Sequence, residues 1–106
     1  MPARPPSFRF ADTCGTLTAA ARRIGLVPPS FRCPPGVEGA MRTIRRRGID
    51  DAVVSVAHRG RPWPVVVADL VEGIVVANGL SGAAALRARS ALWAAVEADM
   101  AGSDAA

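Results

Sequence analysis

The sequence predicts an α+β fold, in which an N-terminal helix, a short antiparallel β-hairpin, a Val-rich central helix and a C-terminal helix follow one another. Apolar residues recur at helical spacing near both ends, and two strand-like stretches flank a turn rich in Gly and Asp. A valine-rich run after them repeats every four residues. A chain of 106 residues suggests one small domain, expected over residues 11–100, between a flexible N-terminus at 1–10 and a flexible tail at 101–106.

The first helix is predicted to begin near Asp12 or Thr13, either of which could cap it, and to stop at Gly25. Its apolar positions would be Leu17, Ala20, Ala21 and Ile24. Residues 28–40 contain four prolines and two glycines, which exclude a helix there. We therefore expect an extended surface connector before the hairpin.

The hairpin is predicted over residues 41–47 and 52–58, with a turn at 48–51. The second segment, AVVSVAH, is rich in β-branched residues, and the turn offers Gly and Asp. The pattern does not fix the register between the two strands.

Residues 63–77 are predicted as a helix, although valine prefers strands. Pairs of apolar residues recur every four positions, and the side opposite them holds Asp69, Glu72 and Gly73. Pro62 and Pro64 suit a helix start better than a strand interior, and Asn78 followed by glycine suits a helix end. The alternative is a second hairpin that turns at residues 59–62.

The last helix is predicted over residues 82–100, with Ser81 as its cap. Its apolar stripe would consist of Leu86, Trp93, Val96 and Met100. Arg89 lies four residues before Trp93, so its guanidinium could stack on the indole ring.

The charge of the chain is unevenly distributed. All thirteen basic residues are arginines. Residues 1–62 carry eleven arginines and four acids, a formal charge of +7, whereas residues 63–106 carry two arginines and five acids, a charge of −3. This split indicates either pairing between the two parts or a basic face for an anionic partner.

The densest basic cluster consists of Arg42, Arg45, Arg46 and Arg47. On a hairpin it could contact a protein partner, pair with acids of the chain or bind phosphates of a nucleic acid. No aromatic residue is interleaved, so stacking on unpaired bases has no support.

Arg59 and Arg61 belong to an Arg-Gly-Arg-Pro segment that resembles the core of an AT-hook. In that family the extended arginines enter the minor groove of A·T-rich DNA. The competing interpretation is a corner, in which Gly60 turns the chain and Pro62 starts the next helix.

Asp69 and Glu72 are three residues apart and share one face of the predicted helix. No nucleophile accompanies them, so we predict no catalytic residues and no enzyme. We expect them to pair with the arginines just upstream, within the chain or across a symmetric homodimer. If Asp69 is paired inside the fold, its replacement by alanine should cost about 3 kcal/mol or more.

Cys14 and Cys33 are too few for a disulfide framework or a Cys-based zinc site, and we predict no metal and no cofactor. No apolar signal segment opens the sequence. Residues 65–80 are short for a membrane span and contain two acids. The expectation is a cytoplasmic protein without a membrane partner.

Four motifs resemble those of small, uncharacterised proteins of actinobacterial type. In these proteins FR-x-PP, RT-x-RR, a GRP corner and a terminal ALW recur in that order. The matching positions are 31–35, 42–46, 60–62 and 91–93, so the resemblance covers residues 26–97. It implies a source class and no particular activity.

Together these features predict a non-enzymatic basic interaction module, an adaptor or regulator that binds a protein partner, within nucleic-acid machinery in one version of the hypothesis. The alternative is a protein that binds DNA or RNA directly through the Arg-rich hairpin and the Arg-Gly-Arg-Pro segment. Salt dependence of any nucleic-acid binding would distinguish the two.

Overall fold

The computed structural model describes residues 9–33, 42–44, 53–58 and 60–105. Within them, three helices and three short strands follow in the order α1, β1, β2, β3, α2, α3. Their bounds are Phe10–Arg23 for α1, Ser30–Arg32 for β1, Arg42–Ile44 for β2, Val53–Ser55 for β3, Trp63–Ala77 for α2 and Gly82–Ala105 for α3. The predicted α+β class is confirmed at this level.

The sheet has three strands in the order β1-β3-β2, so the last strand in the sequence is the central one. Strand β2 pairs with β3 in antiparallel fashion, and β1 pairs with β3 in parallel. The prediction of a sheet made only of an antiparallel hairpin is therefore wrong. The prolines before residue 30 favour extended backbone, which allows residues 30–32 to join the sheet instead of serving only as a connector. The predicted turn at 48–51 lies outside the described residues.

Helix α2 is the centre of the core, and its observed bounds confirm the helical prediction for residues 63–77. The residues that it buries are Val66, Val67, Leu70, Val71, Gly73, Ile74 and Val75. Gly73, predicted to lie on the open side with the acids, instead faces β3, where a Cβ would lie only 2.6 Å from Cγ1 of Val54. No helix among the described residues is both long enough and apolar enough to cross a membrane.

Helix α3 packs through a face rich in small side chains. Its buried residues are Ala85, Ala88, Leu92 and Val96. The predicted stripe was wrong at Leu86, which is 65% exposed, whereas Trp93 and Met100 do pack against the core. The small alanine side chains on this face allow α3 to approach its neighbours closely. The helix continues to Ala105, five residues beyond its predicted end.

Helix α1 begins earlier than predicted, with Arg9 at its N-cap position and no side-chain cap. The amide of Thr13 donates to the Arg9 carbonyl at 3.0 Å, so Thr13 lies within the first turn and does not cap it. Predicted core positions Leu17, Ala20 and Ala21 are buried. Ile24 is 43% exposed, because the helix has ended before it.

Candidate interaction groove

Arg61 and Asp69 form an ion pair at the corner between β3 and α2. The Nη1 of Arg61 lies 2.9 Å from Oδ2 of Asp69 and also donates a 3.1 Å hydrogen bond to the carbonyl of Ala57. Only 22% of the arginine side chain and 25% of the aspartate side chain are exposed. Gly60 turns the backbone with φ +75°. Of the two arginines that a minor-groove contact would use, Arg61 is therefore engaged within the chain, and Arg59 lies outside the described residues.

Glu72 and Arg89 form a second ion pair, which joins α2 to α3. The Nε and Nη2 atoms of Arg89 donate to the two carboxylate oxygens of Glu72, each at 2.9 Å. The hydrogen bond from Arg89 is the main cause that holds the pKa of Glu72 below its ordinary value. The partner thus comes from the following helix and not from the upstream arginines. With both acids paired inside the chain, neither needs a second subunit to neutralise it.

The arginines of the predicted cluster are described only in part. Arg42 lies in β2, in register with Ser55 of β3. Arg32 of β1, which is not part of the predicted cluster, pairs with the same Ser55 from the other side and is exposed. The sheet register therefore brings two arginine positions into one row. The described residues do not include the other predicted binding arginines, which are Arg45, Arg46, Arg47 and Arg59.

An open groove of about 340 Å³ lies between the end of α1 and the first half of α3. It is lined by Ile24, Leu26, Leu80, Ala84, Arg87, Ala88 and Ala91. The three alanines follow one face of α3 over two turns, which makes that wall shallow. Ile24 leaves 43% of its surface open to solvent at this position and so adds accessible apolar surface to the groove.

The loops that carry Leu26 and Leu80 are joined by the side chain of Asn78. Its Oδ1 accepts a 3.0 Å hydrogen bond from the amide of Val27, and its Nδ2 donates at 2.9 Å to the Val27 carbonyl. A further 2.9 Å bond from Nδ2 to the Ile74 carbonyl anchors the same amide group on α2. These bonds fix the two loops against each other and so hold one end of the groove in shape.

Replacing Asn78 with alanine is expected to lower the free energy of unfolding by about 1–2 kcal/mol, because three hydrogen bonds are lost while water can reach part of the site. Urea denaturation followed by circular dichroism would measure this change. Asn78→Asp retains the Oδ1 acceptor but turns a carboxylate oxygen toward the carbonyls of Val27 and Ile74, so its loss should be at least as large. A midpoint unchanged by Asn78→Ala would show that the loops are held by other contacts.

Positive charge borders the groove. Arg87 lines it directly, and the exposed Arg22 and Arg23 immediately precede Ile24. None of these three forms an ion pair with another described residue. The groove thus joins an apolar surface to the guanidinium of Arg87, which has no ion-pair partner among the described residues. The sequence signal for the groove is the position of Ile24 immediately before the helix-ending Gly25, although the helical spacing of Ile24 predicts a core position.

The groove offers apolar surface for binding, and its lining contains no nucleophilic or acid–base side chain. Its lining consists of aliphatic side chains and one arginine, without a thiol, a hydroxyl, an imidazole or a carboxylate. Across the described ranges, no three His, Cys, Asp or Glu side chains come together as metal ligands would.

Cys14 is a half-buried thiol on α1. Burial, with a smaller contribution from Cys33, raises its pKa from 9.0 to about 12. The thiolate is the nucleophile, and its fraction falls about a thousandfold, while the greater nucleophilicity of a more basic thiolate recovers about half of that on a logarithmic scale. We therefore expect neutral iodoacetamide to alkylate Cys14 about ten- to thirtyfold more slowly in the folded than in the denatured protein.

Intact-mass spectrometry of a Cys33→Ser variant would measure this rate, because Cys14 is then the only thiol. Equal alkylation rates in native buffer and in denaturant would contradict the prediction.

Comparison of the chain with protein-family models found no match, and neither did comparison with curated proteins or with solved structures. The resemblance to small actinobacterial-type proteins stays a prediction, and any function rests on the geometry described above.

Proposed function

We propose that this protein is a non-enzymatic interaction module, an adaptor or regulator, that binds a protein partner through the groove between α1 and α3. The observation that carries the proposal is the exposure of Ile24 in an apolar groove whose lining also includes Arg87, which forms no ion pair with the other described residues. Burying such a side chain against a partner is favourable, because apolar surface leaves water. The absence of reactive groups from the lining favours binding over catalysis.

A pair of matched variants tests this proposal. Ala84→Trp places an indole in the groove, whereas Ala94→Trp places the same group on exposed surface of the same helix outside the lining. Each protein would be immobilised and exposed to lysate of its own host, and the retained proteins would be quantified by mass spectrometry.

The proposal predicts at least one protein that the native chain and Ala94→Trp retain equally and that Ala84→Trp retains about tenfold less, a loss expected when a central contact is blocked. Equal retention by all three proteins would contradict it. Circular dichroism would show that both variants keep the native helix content.

A second candidate function is direct binding of DNA or RNA, and the specific observation in its favour is the row that contains Arg32 and Arg42. Arginines in one row of a sheet can contact successive phosphates, and each contact makes the affinity more salt-dependent. An adaptor with this excess of arginine in residues 1–62 would also be suited to work within nucleic-acid machinery.

Fluorescence anisotropy with labelled duplex DNA and single-stranded RNA at two salt concentrations tests the second function. The variant Arg32→Gln/Arg42→Gln should weaken binding and lower its salt dependence, whereas Arg9→Gln at the start of α1 should matter less. Absence of binding at low salt, or binding that salt does not change, would exclude it.

A further inference from the structure

We infer that the segment which occupies the groove is an acidic amphipathic helix. This inference rests on the proposed function and specifies the chemistry of its partner. It follows from the shape of the α3 wall, from the charge at the border and from the openness of the site.

The α3 wall favours a helix because most of its side chains are small. Ala84, Ala88 and Ala91 extend over two turns, about 10 Å along the axis, and Arg87 is the one long side chain that this helix contributes to the lining. Ile24, Leu26 and Leu80 form the apolar remainder of the lining. A helix that carries two apolar residues one turn apart can insert both between these walls, as amphipathic helices do in grooves.

The charge at the border favours carboxylates. Arg87 lies in the groove wall, and no acidic side chain lines the site. The two acids of α2 are occupied by Arg61 and Arg89 and do not compete for this guanidinium group. Arginine can bind a carboxylate through two parallel hydrogen bonds, whereas a basic helix would be repelled here.

The openness of the groove favours a peptide over a small ligand. Sites for small molecules enclose most of the ligand surface, whereas this groove of about 340 Å³ is only partly enclosed. A helix buries only one face and keeps its charged face in water, which suits an open groove.

Three synthetic helical peptides would test the inference, with the same two leucines one turn apart and with glutamate, glutamine or lysine at the flanking positions. Titration into the ¹⁵N-labelled 11.0 kDa protein would be followed by NMR. The acidic peptide should shift resonances of residues 24–26 and 80–91 and bind at least about fivefold more tightly than the glutamine peptide. The advantage should disappear at about 0.5 M salt, because exposed charges are then screened.

Arg87→Glu is the decisive variant. It should weaken the acidic peptide at least about fivefold and favour the lysine peptide instead, because the charge at the groove wall is reversed. Arg9→Glu makes the same charge change at the opposite end of α1 and should leave both affinities within about twofold.

The other outcomes distinguish a failure of the acidic helix from a failure of the proposed function. Equal binding of the acidic and glutamine peptides would overturn the acidic helix. So would tighter binding of dodecanoate, a small fatty-acid ligand titrated in the same way, than of any peptide. If no peptide shifts the groove resonances while Ala84→Trp still loses a cellular partner, the acidic helix is wrong and the proposed function stands. If Ala84→Trp loses no partner either, both are wrong.

Discussion

Replacing Gly73 with alanine is expected to lower the free energy of unfolding by about 1–3 kcal/mol, although alanine is favoured over glycine within helices. The new Cβ would lie 2.6 Å from Cγ1 and 2.8 Å from Cγ2 of Val54. Val54 cannot yield easily, because it is fully buried and its β-branched side chain has few rotamers. Helix α2 and strand β3 must therefore separate, and the packing around both is disturbed.

Thermal and urea denaturation of Gly73→Ala would measure this loss, and Gly15→Ala is the matched control. Gly15 lies within α1, and a Cβ added to it would meet nothing within 4 Å, so alanine there should raise stability by up to about 1 kcal/mol. In the double variant Gly73→Ala/Val54→Ala the two losses should be less than additive, since the clash is removed. A Gly73→Ala protein as stable as the native one would refute the close approach of α2 and β3.

Replacing Asp69 with alanine is expected to lower the free energy of unfolding by about 1–3 kcal/mol, between the values for exposed and for buried pairs. The loss is smaller than the sequence alone suggested, because a quarter of the aspartate side chain stays in contact with water. Arg61 would keep only its bond to the Ala57 carbonyl in a site that is three-quarters buried. The corner that leads from β3 into α2 should loosen as a result.

A double-mutant cycle with Asp69→Ala and Arg61→Met would isolate the pair from the separate packing of each side chain. Glu97→Ala removes an exposed acid of α3 and should change stability by less than about 0.5 kcal/mol. An Asp69→Ala protein that unfolds at the native midpoint would show that the ion pair adds nothing to the stability of the corner.

The sequence was informative where the signal is local. Pro62, Pro64 and Asn78 mark the ends of α2, and both observed ends agree with the prediction. The core face of α3 was partly misplaced because alanine gives no clear hydrophobic signal, so the larger Leu86 attracted the assignment although it faces solvent. Strand β1 was missed because three residues that pair with a segment 23 positions away leave no periodic pattern.

The candidate groove could not be predicted from the sequence, because it arises only where the end of α1 meets α3. Ile24 continues the apolar spacing of Leu17, Ala20 and Ala21, and nothing in that pattern reveals that the helix ends one residue earlier. Of the predicted ion-pairing residues, Asp69 meets an upstream arginine and Glu72 meets Arg89 of a different helix. The second contact depends on the packing of α2 against α3, which local spacing does not determine.

The central position of β3 has a consequence for the order in which the sheet can assemble. Strands β1 and β2 contact β3 and not each other, so neither has a sheet partner until residues 53–55 have been synthesised. Loop closure between β1 and β3 also carries an entropic cost. During translation the sheet should therefore form late, and the sequence that stabilises it, around Gly73, emerges later still.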